Sequence, residues 1–250
     1  MGSAFIGKAK IFIAPYAGAA TFDGRAFVYA ENTSRFELGF AEEEKKLLDY
    51  ASASGGIDAS VKRISDATGA ADLRHFTPAN LALALWGTTA AANATPITGE
   101  AGGKVIVPGK FVPAARLIDT TVAPVIKSGA TTILTADYTV SPAGITIADT
   151  ITTGGISSGD PLTFDYTPLL GDKVQSLLTS APQVSIIVEG INEVTGKYSV
   201  VRVWKAKLGV AQGVGFIGDD FGTLAVSLTV EKDETITTGQ SQYFEIEAAA

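Results

Sequence analysis

Hydrophobic and polar residues alternate with period two along much of this chain, a pattern typical of β-strands that bury one face. In the segment NTSRFELGFA, Phe36, Leu38 and Phe40 fall on one side and the residues between them on the other. Later segments show the same alternation, or short apolar runs bounded by Gly, Pro and Asn. The strands predicted in this way are 11–14, 104–107, 122–126, 131–134, 138–140, 145–147, 162–166, 184–189, 198–208, 223–230 and 242–247. We therefore expect a mainly β fold.

Helix signals are few, and the best run from Thr77 to Gly87. Thr77 is a good N-cap, Pro78 suits the first helical position, and Gly87 suits the C-terminal cap. One face of this helix is predicted to dock on a sheet through Leu81, Leu85 and Trp86.

Residues 32–87 predict a long β arm that overhangs the body of one subunit. A strand leads through the charged run 42–46 to a small-residue tip at 51–56, and an extended return arm leads to the helix. The charged run has some helix propensity, but no cap precedes it and its flanks alternate, which favours an extended arm or a loop. A lone hairpin of this length is barely stable in water, so we expect another copy of the chain to pair with it. The contact candidates are Phe36, Leu38, Phe40, Glu42, Glu43, Glu44, Lys45, Lys46, Tyr50, Lys62 and Arg63.

Several strings carry a resemblance to a known family. They are ELGFAEEEKKLLDYASASGG, ASVKRIS and FTPANLALALWG, followed by EGINEVTGKYSVVRVWKAKL, GFIGDDFGTLAV and SQYFEIE. In this order they resemble the tail tube (major tail) proteins of siphovirus-type, long-tailed bacteriophages, while the middle of the chain matches weakly. The resemblance implies a tail-tube-type β-sandwich or barrel with one short helix and a long β arm.

The resemblance also implies a function and partners. Such subunits form hexameric rings that stack into a hollow tail tube, through which DNA passes without specific binding. The other implied partners are a tape-measure protein and the tail terminator and tail tip proteins. The chain would be made in the host cytoplasm and reside in the virion tail. The alternatives are a tube protein like that of type VI secretion and a monomeric β-sandwich surface or adhesive module.

A change of texture predicts an inserted module. Residues 88–103 are rich in Ala, Thr, Asn and Gly and are interpreted as a linker, while 104–168 hold short strands, sparse charge and abundant Thr. We expect a discontinuous core domain at 1–103 and 169–250. The insert at 104–168 is then a small β-sandwich on the tube exterior or, alternatively, extra strands of one continuous sheet.

Composition agrees with assembly. Hydrophobic residues make up 46% of the chain, yet no apolar run approaches the ~18 residues that span a bilayer, so we expect burial between subunits and no membrane partner. The net charge of −7 argues against tight nucleic-acid binding and suits a conduit that repels DNA weakly. The lack of cysteine excludes disulfides and thiolate metal sites. The apolar run near the N-terminus is too short for a signal peptide and is interpreted as an opening strand.

Candidate chemistry is weak, and we expect neither an enzyme nor a cofactor or metal site. His75 is the sole histidine and is interpreted as a strand-end or helix-entry residue. The carboxylates of 42–44 would point to opposite faces of an extended arm. The run is interpreted either as a charge zipper between subunits or as a merely solvated arm. The Asp219-Asp220 pair between glycines is interpreted as a β-turn joining two strands. Two small basic spots, Lys62-Arg63 and Lys205 with Lys207, are expected to meet the acidic arm of a neighbour.

Overall fold

The chain divides into two compact units. The computed structural model describes residues 7–18, 22, 24–50, 56–101, 103–237 and 239–249. Unit 1 comprises Met1–Thr89 with Val174–Ala250, and unit 2 comprises Ala90–Lys173. The predicted insert, 104–168, falls inside unit 2, whose two ends lie further out along the chain.

The prediction of a mainly β fold is confirmed, because the described residues form 17 strands and one α-helix. A 3-10 turn covers Thr135–Asp137 and the helix, α1, covers Pro78–Ala84. The strands are β1 (Gly7–Pro15), β2 (Val28–Tyr29), β3 (Thr33–Leu48), β4 (Ile57–Leu73), β5 (Thr88–Ala92), β6 (Ile97–Glu100), β7 (Phe111–Pro113), β8 (Val125–Ser128), β9 (Thr131–Thr132), β10 (Tyr138–Ser141), β11 (Gly144–Ile147), β12 (Thr163–Tyr166), β13 (Gly171–Gln175), β14 (Gln183–Asn192), β15 (Lys197–Leu208), β16 (Leu224–Val230) and β17 (Phe244–Ala248). No helix in the described part of the chain is long and apolar enough to cross a membrane.

Unit 1 is built on one eight-stranded antiparallel sheet. Its order is β2-β1-β14-β15-β16-β4-β3, with β17 paired to β15 beside this path. Alternate residues of these strands and the inner face of α1 form the core, because a strand points successive side chains to opposite faces. The largest buried members include Leu73, Ile186, Leu208 and Leu224.

Helix α1 begins as its sequence predicts and ends differently. The Thr77 hydroxyl accepts from the Asn80 amide, which satisfies one of the free N–H groups of the first turn. At the other end Trp86, rather than Gly87, takes the left-handed conformation with φ of 50°, and the Gly87 amide donates to the carbonyl of Ala82. Gly87 is needed for another reason, since a Cβ there would lie 2.3 Å from the Gln175 carbonyl oxygen.

Unit 2 is a small β-sandwich. A three-stranded sheet, β10-β11-β7, and a four-stranded sheet, β6-β12-β8-β9, enclose one hydrophobic core. Phe164, Ile126 and Ile145 are fully buried in it. Two sheets around one core are the arrangement predicted for the insert.

Three details of the sequence-based strand assignment are wrong. The supposed linker 88–103 contains β5 and β6, which pair with β13 and β12 across more than 60 residues of chain. Within 104–107 only Val105 pairs, in an isolated bridge to Pro161, while β7 is absent from the predicted strands. The last three strands are not a simple meander, since β17 pairs with β15 and not with β16.

Candidate assembly surface

The most exposed regular structure in unit 1 is the outer part of the β3–β4 hairpin. The strands have 16 and 17 residues and pair along their length, but β16 pairs with β4 only through Thr68–Leu73. Beyond that point lies a two-stranded ribbon, here called the distal arm, comprising residues 41–50 and 56–66. Its strand residues are exposed on both faces. Of the predicted tip at 51–56, residues 51–55 lie outside the described residues.

A β-bulge marks the base of the distal arm. Ala41 pairs with Asp66 and Glu42 with Ile64, so Ser65 is the extra residue on β4. The Ser65 hydroxyl donates to the Ala41 carbonyl at 3.2 Å and fixes this irregularity. Because a bulge bends a strand and increases its twist, it redirects the ribbon where it leaves the sheet.

The charged run 42–46 is extended, as the flanking alternation predicts. Glu44 lies 3.2 Å from Lys46 on one face and Glu43 lies 3.8 Å from Lys45 on the other. Lys62 reaches Glu42 across the ribbon at 3.7 Å. Arg63 lies opposite Glu43 in the register. Exposed pairs of this kind are each worth only about 0–1 kcal/mol, so they do little to hold the ribbon together.

Apolar side chains on the distal arm have no core to enter. Tyr50 is 86% exposed, and roughly half or more of each of the others is exposed. They are Leu47, Leu48, Ile57, Val61 and Ile64. Apolar residues repeated along a ribbon without a packing partner indicate an interaction surface.

The apolar face at the start of β3 is occupied within the subunit. Phe36 and Leu38 pack against the core of unit 1. Phe40, the next residue on that face, stacks on Phe244 of β17 with ring centroids 5.4 Å apart. Phe36 and Leu38 are therefore packed within the subunit, whereas Phe40 is half exposed and keeps surface for another copy, as do the candidates from Glu42 onward.

The outer edge of β3 carries no strand in the part of the chain that the structure describes, because β3 ends the sheet order. An edge of 16 residues presents a row of unpaired N–H and C=O groups, which is a template for pairing with another strand. The sheet therefore has both an extended ribbon and an open edge on the same strand.

The other predicted residues are placed as follows. Leu81 and Leu85 pack against the core, and the Trp86 indole donates to the Leu208 carbonyl at 3.0 Å. His75 lies between β4 and α1, where its Nδ1 contacts the Glu31 carboxylate. Lys205 and Lys207, which the sequence analysis expects to meet a neighbour's acidic arm, both form ion pairs with Glu231 of the same subunit.

The Asp219-Asp220 pair does not form a tight turn between strands. It lies in a 15-residue loop, 209–223, between β15 and β16. Within the described residues no group of three or more His, Cys, Asp and Glu side chains is placed to hold a metal ion. Sequence analysis missed the exposure of Phe216 and Phe221 in this loop, although aromatic residues beside glycines outside any alternating pattern were a signal for it.

Comparisons with known proteins give one family. The model of the family described as protein of unknown function UCP028589 matches residues 4–247. No curated protein matches the chain. The matched range includes both units and the distal arm.

Proposed function

We propose that this chain, which belongs to the family described as protein of unknown function UCP028589, is a self-assembling structural subunit of a phage tail tube. Copies form hexameric rings, and the rings stack into a hollow tube that conducts DNA without binding it specifically. The proposal joins the sequence resemblance to tail tube proteins with the geometry of the β3–β4 hairpin.

The distal arm is the observation that carries the proposal. It exposes both faces, and its apolar residues contact no core of their own. A two-stranded ribbon alone is at best marginally stable, whereas burial of its apolar surface yields about 25 cal/mol per Å². A second copy of the chain, present at high concentration wherever the first is made, is the simplest partner to supply that burial.

The open edge of β3 supports assembly in rings. If a strand of the next subunit pairs with this edge, the sheet continues from one copy to the next and closes after a full turn. Closure removes exposed sheet edges, as it does in β-barrels. Partners that set tube length, such as a tape-measure protein and terminator or tip proteins, belong to the same proposal.

Unit 2 favours one alternative. A β-sandwich with its own core can serve as a surface or adhesive module, and unit 2 fits that description. In the tube it would decorate the exterior. In a monomeric adhesive protein, however, the distal arm would have no partner for its exposed apolar residues.

Electron microscopy with analytical ultracentrifugation of the purified chain tests the proposal. We expect rings or hollow tubes of uniform width, whose fraction increases with protein concentration and falls as salt weakens the charged contacts. A chain that sediments as a monomer at every concentration would contradict self-assembly and favour the monomeric surface module.

A further inference from the structure

The 209–223 loop presents an apolar and acidic surface to solvent. Phe216 is 82% exposed, Ile217 is fully exposed and Phe221 is 93% exposed. Asp219 and Asp220 lie between them, and neither carboxylate has an ion pair or hydrogen bond among the described residues. Large apolar side chains exposed together mark an interaction site.

This loop is nevertheless anchored at its first residues, where the Gly209 amide donates to the Ser227 carbonyl at 2.8 Å, and again at its last residues. Arg74 donates to the Phe221 carbonyl at 3.4 Å. Gly222 lies against the ring of Phe76, where a Cβ would approach the ring to 2.2 Å. Both contacts lie just beyond Leu73, which pairs with Leu224 at the start of β16. The last residues of the loop are thus fixed to the Leu224 end of the sheet.

A basic cleft lies at the other end of β16. It has a volume of about 460 Å³ and is bordered by the base of the distal arm. Lys205, Lys207 and Lys232 line it together with Asp66 and Glu231, so its lining has one net positive charge in a chain of net charge −7. Tyr243, 38% exposed, and Ile64, 66% exposed, provide apolar contact surface at its rim.

Glu231 organises the lysines without neutralising them. It lies 2.6 Å from Lys207 and 3.2 Å from Lys205. Burial raises the pKa of Glu231, but the hydrogen bonds from Lys207 and Lys205 outweigh it, so that this pKa lies below its usual value. One carboxylate is therefore shared by two ammonium groups. Lys232 forms an exposed ion pair with Glu234 at 3.6 Å. Lys207 and Lys232 each keep about half of their side-chain surface exposed, where another acid can approach.

The positions of loop and cleft suit a head-to-tail contact. From Leu224 to Val230, β16 spans roughly 20 Å at ~3.4 Å per residue. The 215–222 part of the loop lies beyond the first residue, because a Cβ on Gly222 would lie 3.5 Å from the Gly215 carbonyl oxygen, and the cleft lies beside the last residue. Two complementary surfaces at opposite ends of one strand produce a heterologous contact that repeats from copy to copy.

We infer that the 209–223 loop of one copy docks in the basic cleft at the arm base of the next copy, with Asp219 and Asp220 facing Lys207 and Lys232. The apolar residues of the loop pack on Tyr243 and Ile64. This inference rests on the proposed function and names the surfaces through which successive rings stack.

Site-specific crosslinking tests it, because the chain has no cysteine of its own. An Ile217→Cys chain is mixed with a Ser65→Cys chain under mild oxidation. We expect a disulfide-linked dimer of the two variants on a non-reducing gel. The matched control pairs Ile217→Cys with Thr150→Cys, an exposed position in unit 2, and should give no such dimer.

Charge reversal adds a second measurement. Asp219→Lys with Asp220→Lys should lower the crosslinking yield roughly tenfold, and Lys207→Asp with Lys232→Asp in the partner should restore it. Reversal of Asp149 and Asp172 in unit 2 alters the net charge equally and should leave the yield unchanged.

The outcomes separate this inference from the proposed function. Tubes with no crosslink between residues 217 and 65 would overturn the inference and leave the tube proposal standing. A crosslink that resists charge reversal would overturn the lysine–aspartate contact. If neither tubes nor crosslinks form, both proposals are overturned. Crosslinked dimers without tubes would support loop docking and contradict the tube.

Discussion

Phe40 of β3 stacks on Phe244 of β17, with ring centroids 5.4 Å apart and 16° between the ring planes. The two strands are not neighbours in the sheet, because β17 pairs with β15 and β3 pairs with β4. Phe40 is also the last aromatic residue on the core-facing side of β3 before the bulge at Ser65. This aromatic pair therefore anchors the base of the distal arm to the body of unit 1.

Loss of this pair should loosen the arm without unfolding the unit. Phe40 is half exposed, so Phe40→Ala should cost only about 1 kcal/mol in the free energy of unfolding, and the coupling to Phe244→Ala should be about 0.5–1.5 kcal/mol. A double-mutant cycle by urea unfolding measures both. Hydrogen exchange should accelerate in the distal arm before it does in β14 and β15. Strictly additive effects of the two substitutions would show that the rings do not anchor the arm.

Removal of the distal arm should separate folding from assembly. A deletion of 42–56 would leave 57–65 without a partner strand. The register gives a better cut, because Ala41 pairs with Asp66. Replacement of 42–65 by Asn-Gly joins these two residues through a two-residue hairpin turn.

We expect the trimmed chain to keep its circular dichroism spectrum and to sediment as a monomer where the full chain forms tubes. A variant with the arm intact and Glu43→Gln provides the control, since it alters one exposed charge and removes no apolar surface. Normal tubes from the trimmed chain would disprove a role for the arm in assembly.

The arm could be predicted from sequence because its signals are local. Phe36, Leu38 and Phe40 set the period of β3, and Thr77 with Pro78 announces α1. The features that the sequence did not predict depend on residues that are distant in the chain. The extra residue at Ser65 is invisible until β3 and β4 are aligned, and the pairing of β17 with β15 skips the strand that precedes it.

The candidate site divides in the same way. The charged run 42–46 is visible in a few consecutive residues, whereas the basic cleft is formed by Lys205, Lys207 and Lys232 from two segments beside the arm base.

The identity of the left-handed residue after α1 was also not predicted. Gly87 suits that role by type, but the close approach of Gln175 requires glycine there, and Trp86 takes the strained conformation instead.

Gly87→Ala should destabilise unit 1. Its Cβ would lie 2.3 Å from the backbone oxygen of Gln175, so one of the two segments must shift, at a cost of about 1–3 kcal/mol. Tryptophan fluorescence during urea unfolding measures the loss, because both Trp86 and Trp204 are in unit 1. Gly213→Ala is the control, since nothing lies within 4 Å of a Cβ there. Equal stabilities of the two variants would contradict the close approach.

Asp137 in unit 2 is a buried carboxylate held entirely by hydrogen bonds. The hydroxyl of Thr153 donates to it, as do the Thr153 amide at 2.7 Å and the amide and hydroxyl of Thr152, both at 2.8 Å. The Thr153 hydroxyl is the largest influence, and together these donors outweigh desolvation and lower the pKa of Asp137 to about 2. The charged form is therefore favoured in the folded unit relative to the unfolded chain.

This difference predicts an acid-dependent loss of stability in unit 2. A carboxylate whose pKa is about 2 when folded and about 3.9 when unfolded contributes its full stabilisation above pH 4 and loses it as the pH falls towards 2. Hydrogen-exchange mass spectrometry at pH 4.5 and pH 2.5 should show peptides of 104–168 opening more at the lower pH. Asp137→Asn should destabilise unit 2 at pH 4.5 and flatten this dependence, whereas Asp149→Asn, at an exposed position, should retain it. An unchanged pH dependence in Asp137→Asn would assign acid sensitivity to other groups.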